Sequence, residues 1–221
     1  MGSSGILTSG PFNQIPVTGT LEDWEKSTRA GQDRKTETAT FFTMSGEPIT
    51  GFGGDEHSVH VDPRYLQIDG GILTHNHPDN DFGGTLSMQD VKVFAKSNLS
   101  EIRAYSEQGY SYSLKAGKNA DKDALLRWVK VNQKQMQKNF IRSYESAYKQ
   151  ATTPLKSGPH AGQVKLVNRR TGKVVYRQPM TDAQAVRYAR QYSVGAFDRM
   201  YQKNLSKFGF TYTSTKAKNI Y

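Results

Sequence analysis

One stretch of the sequence constrains the fold more than any other: "GILTHNHP" (71–78) followed closely by "SMQDVKVFAKSNL" (87–99). The first part is a short apolar run of the kind that predicts a strand buried on both faces. Pro78 ends this strand because proline has no N–H to donate to the sheet. The second part has helical apolar periodicity, with Ser87 placed to cap its first turn. A buried strand leading directly into a capped helix is therefore predicted.

The rest of the chain alternates between strand and helix patterns. This order predicts an α/β (α+β) fold, in which a mixed β-sheet is flanked by helices and followed by a helical, basic C-terminal extension. The predicted elements are a helix at 20–32, a hairpin at 37–52, strands at 57–63 and 70–76, a helix at 87–99, a hairpin at 101–117, a long helix at 121–151, a hairpin at 164–178, a helix at 181–209 and a strand at 210–216.

Three regions follow from this pattern. Residues 1–19 are predicted to be a flexible N-terminal arm, and residues 20–120 the folded core. Residues 121–221 are expected to form a long helix, a hairpin, a second helix and a final strand that pack on the core or extend it.

Composition excludes several classes of site. The chain has no cysteine, so it has neither disulfides nor a thiolate zinc site, and any transition metal must bind histidine and carboxylate. No stretch approaches the roughly 20 apolar residues that span a bilayer, and the N-terminal sequence lacks the pattern of a secretory signal. A cytoplasmic protein with no membrane partner is expected, and delivery by a non-classical route remains open.

The net charge of +10 is distributed unevenly. Residues 1–90 carry 13 acidic and 5 basic side chains, whereas residues 91–221 carry 7 acidic and 25 basic ones. Such asymmetry favours a negatively charged partner, either nucleic acid or an acidic protein. The alternative interpretation is a solvated basic helical surface without a partner.

The histidine pair at the end of the predicted strand is the main candidate for chemistry. His75 and His77 are two residues apart, so an extended chain presents both imidazoles on one face. The cap at Ser87 places Asp90 in the first turn of the next helix, where the chain returns toward the strand end. Two imidazoles and one carboxylate form a three-ligand set for a catalytic Zn²⁺. Alternatively, Ser-x-x-Asp is a capping box and the histidines belong to a polar surface turn.

Zinc-dependent hydrolysis also requires a base that accepts a proton from water and passes it to the leaving amine. Glu37 is the candidate, because a carboxylate at the head of the apolar strand in "ETATFFTM" is costly unless it has a task. An ordinary glutamate on an edge strand is the alternative.

These residues resemble the signature of the JAMM (MPN-plus) metalloproteases, in which a strand glutamate precedes His-x-His-Pro and Ser-x-x-Asp. "THNHP" is most similar to the RadC-like and bacterial toxin- or phage-associated branch, and the resemblance covers about residues 35–116. It implies a JAMM/cytidine-deaminase-like core, with zinc bound by His75, His77 and Asp90. By the same resemblance, Glu37 is the general acid/base and Ser87 donates to the oxyanion. The spacer between proline and serine is eight residues here, one longer than is usual in the family.

The function expected from the resemblance is a zinc-dependent peptidase or isopeptidase. Its substrate would be a protein or peptide, and the basic half of the chain could recruit an acidic one. Two alternatives remain. One is a non-enzymatic nucleic-acid-binding or assembly module that uses the basic C-terminal half. The other is a metal-dependent nuclease, which is less well supported because such enzymes often use two ions and the sequence offers one convincing ligand set.

Overall fold

The strand that carries the histidines lies inside a seven-stranded mixed sheet. A computed structural model describes residues 5–29, 35–78, 85–106, 110–167 and 173–216. In chain order the elements are β1 (Gly5–Leu7), β2 (Asn13–Ile15), α1 (Leu21–Arg29), β3 (Thr38–Phe42), β4 (Pro48–Gly53), β5 (Ser58–His60), β6 (Ile72–His77), α2 (Met88–Ala95), β7 (Glu101–Ser106), β8 (Tyr110–Ala116), α3 (Lys122–Thr152), β9 (Val164–Val167), β10 (Val174–Arg177), α4 (Asp182–Asn204) and β11 (Phe210–Lys216).

The large sheet has the strand order β11-β8-β7-β6-β3-β4-β2. Every residue of β6 is buried, as its apolar run predicts. β6 pairs antiparallel with β3 and parallel with β7, and α2 provides the crossover between the two parallel strands. The mixed α/β class is therefore confirmed. The topology also brings the carboxyl end of β6 next to the amino end of α2.

The hairpin that precedes the site is formed by β3 and β4. It turns at Ser45 and Gly46, where the N–H of Gly46 donates to the Thr43 carbonyl and Gly46 has a φ of 88°. A positive φ of this size suits glycine because it has no Cβ. Phe41 on β3 and Phe52 on β4 are buried and contact each other edge to face at 6.0 Å. This packing holds β3 against β4, and Glu37 lies immediately before β3.

Two strands lie within the segment that was predicted to be a flexible arm. β1 pairs in parallel with β5, and β2 pairs antiparallel with β4 at the edge of the large sheet. Ile6 of β1 is completely buried. These strands are too short to give a clear periodicity, and they are stabilised by residues more than 35 positions away in sequence.

The chain divides into two compact units: unit 1 comprises residues 1–133 and 198–221, and unit 2 comprises Lys134–Phe197. This division differs from the predicted boundary at residue 120. β11 belongs to unit 1 and extends the large sheet by pairing antiparallel with β8 along its whole length.

Unit 2 has a small core of its own. It is built from Ala151, Val164, Leu166 and Ala185, with half-buried aromatic and methionine side chains packed against them. None of the helices formed by the described residues is long and apolar enough to cross a membrane.

A buried ion pair stabilises the middle of the sheet in unit 1. Arg103 of β7 donates to both carboxylate oxygens of Glu101, at 2.7 and 3.0 Å, and also contacts Glu25 of α1. Ser113 of β8 donates to Glu101 at 2.6 Å. Burial acts to raise the pKa of Glu101, but the bonds from Arg103 and Ser113 outweigh it and the net pKa is lowered.

We expect Glu101→Gln to lower the free energy of unfolding by about 2 kcal/mol at pH 7, the range for a charge-assisted hydrogen bond. Because the folded-state pKa is lowered, this stabilisation is complete above the ordinary glutamate pKa of about 4.3 and is lost as the pH falls through the folded value. Urea unfolding should therefore show that the variant's loss of free energy of unfolding relative to wild type is smaller at pH 3 than at pH 7. Glu47→Gln, at an exposed position, is the control and should change neither value.

Candidate metal centre

His75 and His77 lie on the same face of β6, as their spacing predicts. Their exposed fractions are 0% and 2%, so neither is a surface residue of a polar turn. The two Nε2 atoms face each other at 2.9 Å, and the rings meet edge to face with centroids 4.7 Å apart. Both imidazoles therefore direct the same nitrogen toward one point.

Asp90 approaches that point from α2. Its Oδ2 lies 3.3 Å from His75 Nε2 and 3.7 Å from His77 Nε2. The same Oδ2 accepts a hydrogen bond from the backbone N–H of Ser87 at 2.7 Å, and Ser87 Oγ accepts from the N–H of Asp90 at 3.1 Å. The capping box is thus present, and Asp90 also faces the histidines. The two interpretations of Ser-x-x-Asp describe the same arrangement.

The spacing of these three atoms fits a tetrahedral ion. Ligands at the usual Zn–N and Zn–O distances of about 2.1 Å stand about 3.4 Å apart when they occupy corners of a tetrahedron. The observed separations of 2.9, 3.3 and 3.7 Å bracket that value. Two imidazole nitrogens and a carboxylate oxygen are also a typical donor set for zinc.

Glu37 joins the histidines from a third segment, immediately before β3. It is completely buried, and one of its carboxylate oxygens lies within 4.8 Å of ring nitrogens of both His75 and His77. In the described part of the chain, Glu37, His75 and His77 thus form a group of potential ligands, and Asp90 lies within the same distance of both histidines. A carboxylate in the position of Glu37 can either bind the ion or accept a proton beside it.

Comparison of the chain with protein-family models, curated proteins and solved structures finds no match. Any assignment of function therefore has to rest on the geometry of the centre itself.

Burial and charge act in opposite directions on Asp90. Burial acts to raise its pKa, but His75 and His77 outweigh this effect and the pKa falls well below its usual range. Burial lowers the pKa of His75, although Asp90 opposes the shift. The centre thus favours an ionised carboxylate and a neutral imidazole at His75, the protonation states in which these side chains bind a divalent cation.

Asn76, between the two histidines, contacts the segment around Glu37, which the sequence did not indicate. Its side chain points to the other side of β6, where Oδ1 accepts from the N–H and Oγ1 of Thr38 at 2.8 and 2.6 Å. Its Nδ2 donates to the Thr36 carbonyl at 3.0 Å. Asn76 therefore binds both neighbours of Glu37.

The backbone of Glu37 is held on its other side as well. Its N–H donates to the Asp55 carbonyl at 2.7 Å, and its carbonyl accepts from the Gly54 N–H at 2.8 Å. The backbone of Gly54 and Asp55, between β4 and β5, therefore helps to position Glu37. Alternation along β6 could have indicated that Asn76 faces away from the histidines, but its partners lie 38 and 40 residues away.

β1 supplies a second contact that the sequence did not indicate. The backbone N–H of Ile6 donates to Asp90 Oδ1 at 3.0 Å, so a different donor binds each oxygen of this carboxylate. Gly5 has a φ of 134°, and a Cβ there would lie 2.5 Å from Ser87 Oγ and 2.8 Å from Asp90 Oδ1. The close approach of β1 to the centre thus requires glycine.

The loop before Ser87 is anchored from the C-terminal part of unit 1. Tyr201 donates to the Leu86 carbonyl at 3.0 Å. The hydroxyls of Thr85 and Tyr212 lie 2.7 Å apart and within hydrogen-bond distance of Asp198 Oδ1, at 3.1 and 2.5 Å. These bonds fix the entry to α2. Most of the eight-residue spacer (residues 79–84) lies outside the described residues, but Asp90 faces the histidines and Ser87 bonds to Asp90.

We expect Gly5→Ala to displace Ser87 or Asp90 and to weaken zinc binding about tenfold, a typical cost of disturbing groups that orient ligands. Overpacking should also lower the free energy of unfolding by about 1–3 kcal/mol. Competition with a zinc indicator and urea unfolding would measure the two effects.

Gly158→Ala provides the matched control. Gly158 also has a positive φ, 89°, but nothing lies within 4 Å of the position its Cβ would occupy. If Gly5→Ala and Gly158→Ala lost zinc affinity equally, backbone strain would explain the loss, and a specific contact between Gly5 and the centre would be contradicted.

Proposed function

We propose that unit 1 is a zinc-dependent amide hydrolase, a peptidase or isopeptidase that acts on a protein or peptide. The observation that carries this proposal is the convergence of four almost completely buried side chains, Glu37, His75, His77 and Asp90, from three separate segments. Placing two carboxylates and two imidazoles together in the interior is costly unless they bind a cation. The same residues carry the JAMM-like motif.

Zinc, when bound, lowers the pKa of its water ligand to about 7 and polarises the carbonyl of the scissile bond. His75, His77 and Asp90 would hold the ion. Asp90 is kept in place by the N–H groups of Ile6 and Ser87, which prevent its carboxylate from rotating away. These contacts correspond to the hydrogen bonds that commonly orient metal ligands in enzymes.

Glu37 would accept a proton from the attacking water and transfer it to the nitrogen of the leaving amine, so that one carboxylate acts first as base and then as acid. Asn76 would act as a positioning residue for this carboxylate through Thr36 and Thr38. Ser87 Oγ accepts from the Asp90 N–H, so its own hydrogen is available to donate to an oxyanion.

A single acid/base residue beside one set of ligands suits amide hydrolysis better than phosphodiester hydrolysis, which often uses two ions about 3.5–4 Å apart. Among the described residues, the potential ligands that lie close enough to hold an ion, His75, His77, Glu37 and Asp90, gather around one point. The ligand set therefore supports a peptidase over a nuclease.

Metal analysis provides the direct test. The purified full-length chain is expected to contain one equivalent of zinc, to lose it to a strong chelator and to regain it from solution. Fluorescein-labelled casein and a library of internally quenched peptides should be cleaved by the zinc-loaded chain and not by the chelated one. A chain that takes up no zinc from excess metal would exclude the proposed function.

A further inference from the structure

The net charge of the chain resides entirely in unit 2. Lys134–Phe197 contains twelve Lys/Arg and two Asp/Glu, a net charge of +10, whereas unit 1 contains eighteen of each. Two carboxylates cannot neutralise twelve cations within a body of this size. Self-repulsion on this scale destabilises a compact fold unless salt or an anionic partner relieves it.

Part of this charge forms a regular stripe on α3. Lys134, Lys138 and Arg142 are exposed and succeed one another every four residues, about 6 Å along the helix axis. Met136 and Ala147 occupy the opposite, buried side of the same helix. The stripe therefore presents closely and evenly spaced cations to solvent, a spacing that suits a polymer with regularly repeated negative charges.

The two acidic side chains of unit 2 leave most of the positive charge of this stripe without a compensating negative charge. Asp182 lies in the first turn of α4, where an anion is favoured, and it accepts a hydrogen bond from Tyr148. Glu145 is left as one exposed carboxylate on α3.

The hairpin of unit 2 adds an aromatic surface to the basic one. All four residues of β10 are exposed. Tyr176 stacks on His160, with ring centroids 3.7 Å apart and planes 10° apart, and remains 37% exposed. Lys165 is its cross-strand partner on β9 and is also exposed. An exposed aromatic ring beside a lysine suits stacking of a nucleic-acid base next to its phosphate, whereas an acidic protein would need only the charges.

We propose that unit 2 binds single-stranded nucleic acid. The stripe on α3 contacts successive phosphates, and Tyr176 stacks on an unpaired base. This binding site is independent of the metal centre in unit 1, so it does not rest on the proposed hydrolase.

The test is fluorescence anisotropy of the full-length chain with a fluorescein-labelled 20-nucleotide single-stranded DNA, from 50 to 300 mM NaCl. Binding should weaken steeply with salt. Changing Lys134, Lys138 and Arg142 together to Gln removes three phosphate contacts, so the log–log slope should become shallower by about 2, given about 0.7 per contact on a single strand.

A triple variant of unit 1 is the matched control: Lys96→Gln, Lys118→Gln and Lys203→Gln remove the same charge from exposed positions outside unit 2 and away from α3. It should leave the slope unchanged. Tyr176→Ala should weaken single-strand binding at least about fivefold, the lower range for one stacked base, and should affect a 20-base-pair duplex less.

Several results would overturn the proposal: no binding at 50 mM NaCl, an affinity independent of salt, or equal losses in the two triple variants. Equally tight binding of poly-glutamate would assign the surface to acidic proteins instead. Circular dichroism of each variant separates loss of binding from loss of folding, and Tyr176→Ala tests the proposal if the triple variant of unit 2 unfolds.

Discussion

Glu37→Gln is expected to slow amide hydrolysis about 10³-fold while the chain still binds one equivalent of zinc. The amide has nearly the same size as the carboxylate but cannot accept a proton, and general acid–base groups contribute about 10²–10⁴-fold to rates. The hydrogen bonds of the Glu37 backbone and of its neighbours Thr36 and Thr38 survive the substitution. Zinc content by mass spectrometry and cleavage of the labelled casein would give the two readouts.

Glu56→Gln is the control for this substitution, because Glu56 is an exposed glutamate in the loop that leads into β5. It should cleave at the wild-type rate. If Glu37→Gln lost zinc together with activity, Glu37 would be a ligand and not the acid/base. Full activity in the variant would contradict the proposed mechanism altogether.

The second large effect is expected from Asp90→Asn, which should weaken zinc binding about a hundredfold or more. Structural sites with four ligands bind Zn²⁺ with a free energy of about 10–16 kcal/mol. Loss of one charged ligand should therefore weaken the binding free energy by about 3 kcal/mol. Asparagine can still cap α2 through its side-chain oxygen, whereas its NH₂ group cannot accept from the Ile6 N–H. The measurement is competition for zinc between the variant and an indicator of known affinity.

The corresponding control is Asp121→Asn. Asp121 caps α3 by accepting from the Ala124 N–H at 2.8 Å and is exposed. This pair of variants compares the same chemical change at two helix starts. Wild-type zinc affinity in Asp90→Asn would contradict the assignment of Asp90 as a ligand, and a similar loss in both variants would point to a general effect of weakened capping.

The parts of the centre that the sequence predicted are those that depend on residues only a few positions apart in the chain. The common face of His75 and His77 follows from the alternation of an extended chain. The position of Asp90 follows from the serine cap, because the third residue after the cap lies in the first turn of the helix. The mixed sheet and the long helices follow similarly from apolar periodicity, and the final strand at Phe210–Lys216 has the predicted bounds.

The contacts that position these groups were not predictable in the same way. Asn76 reaches Thr38 across 38 positions, Ile6 reaches Asp90 across 84, and Tyr201 reaches Leu86 across 115. Each joins a side chain to backbone that becomes adjacent only after the sheet has formed. A single sequence carries no local periodicity that would reveal such pairs.

One oxygen of Asp90 both caps α2 and faces the histidines. If unit 1 is the proposed hydrolase, a descendant that had lost catalysis would therefore still be selected to keep Ser-x-x-Asp, because its helix would need the cap. That tetrapeptide would then be a poor marker for telling working enzymes from pseudoenzymes. His75, His77 and Glu37 are the positions whose replacement would reveal the difference.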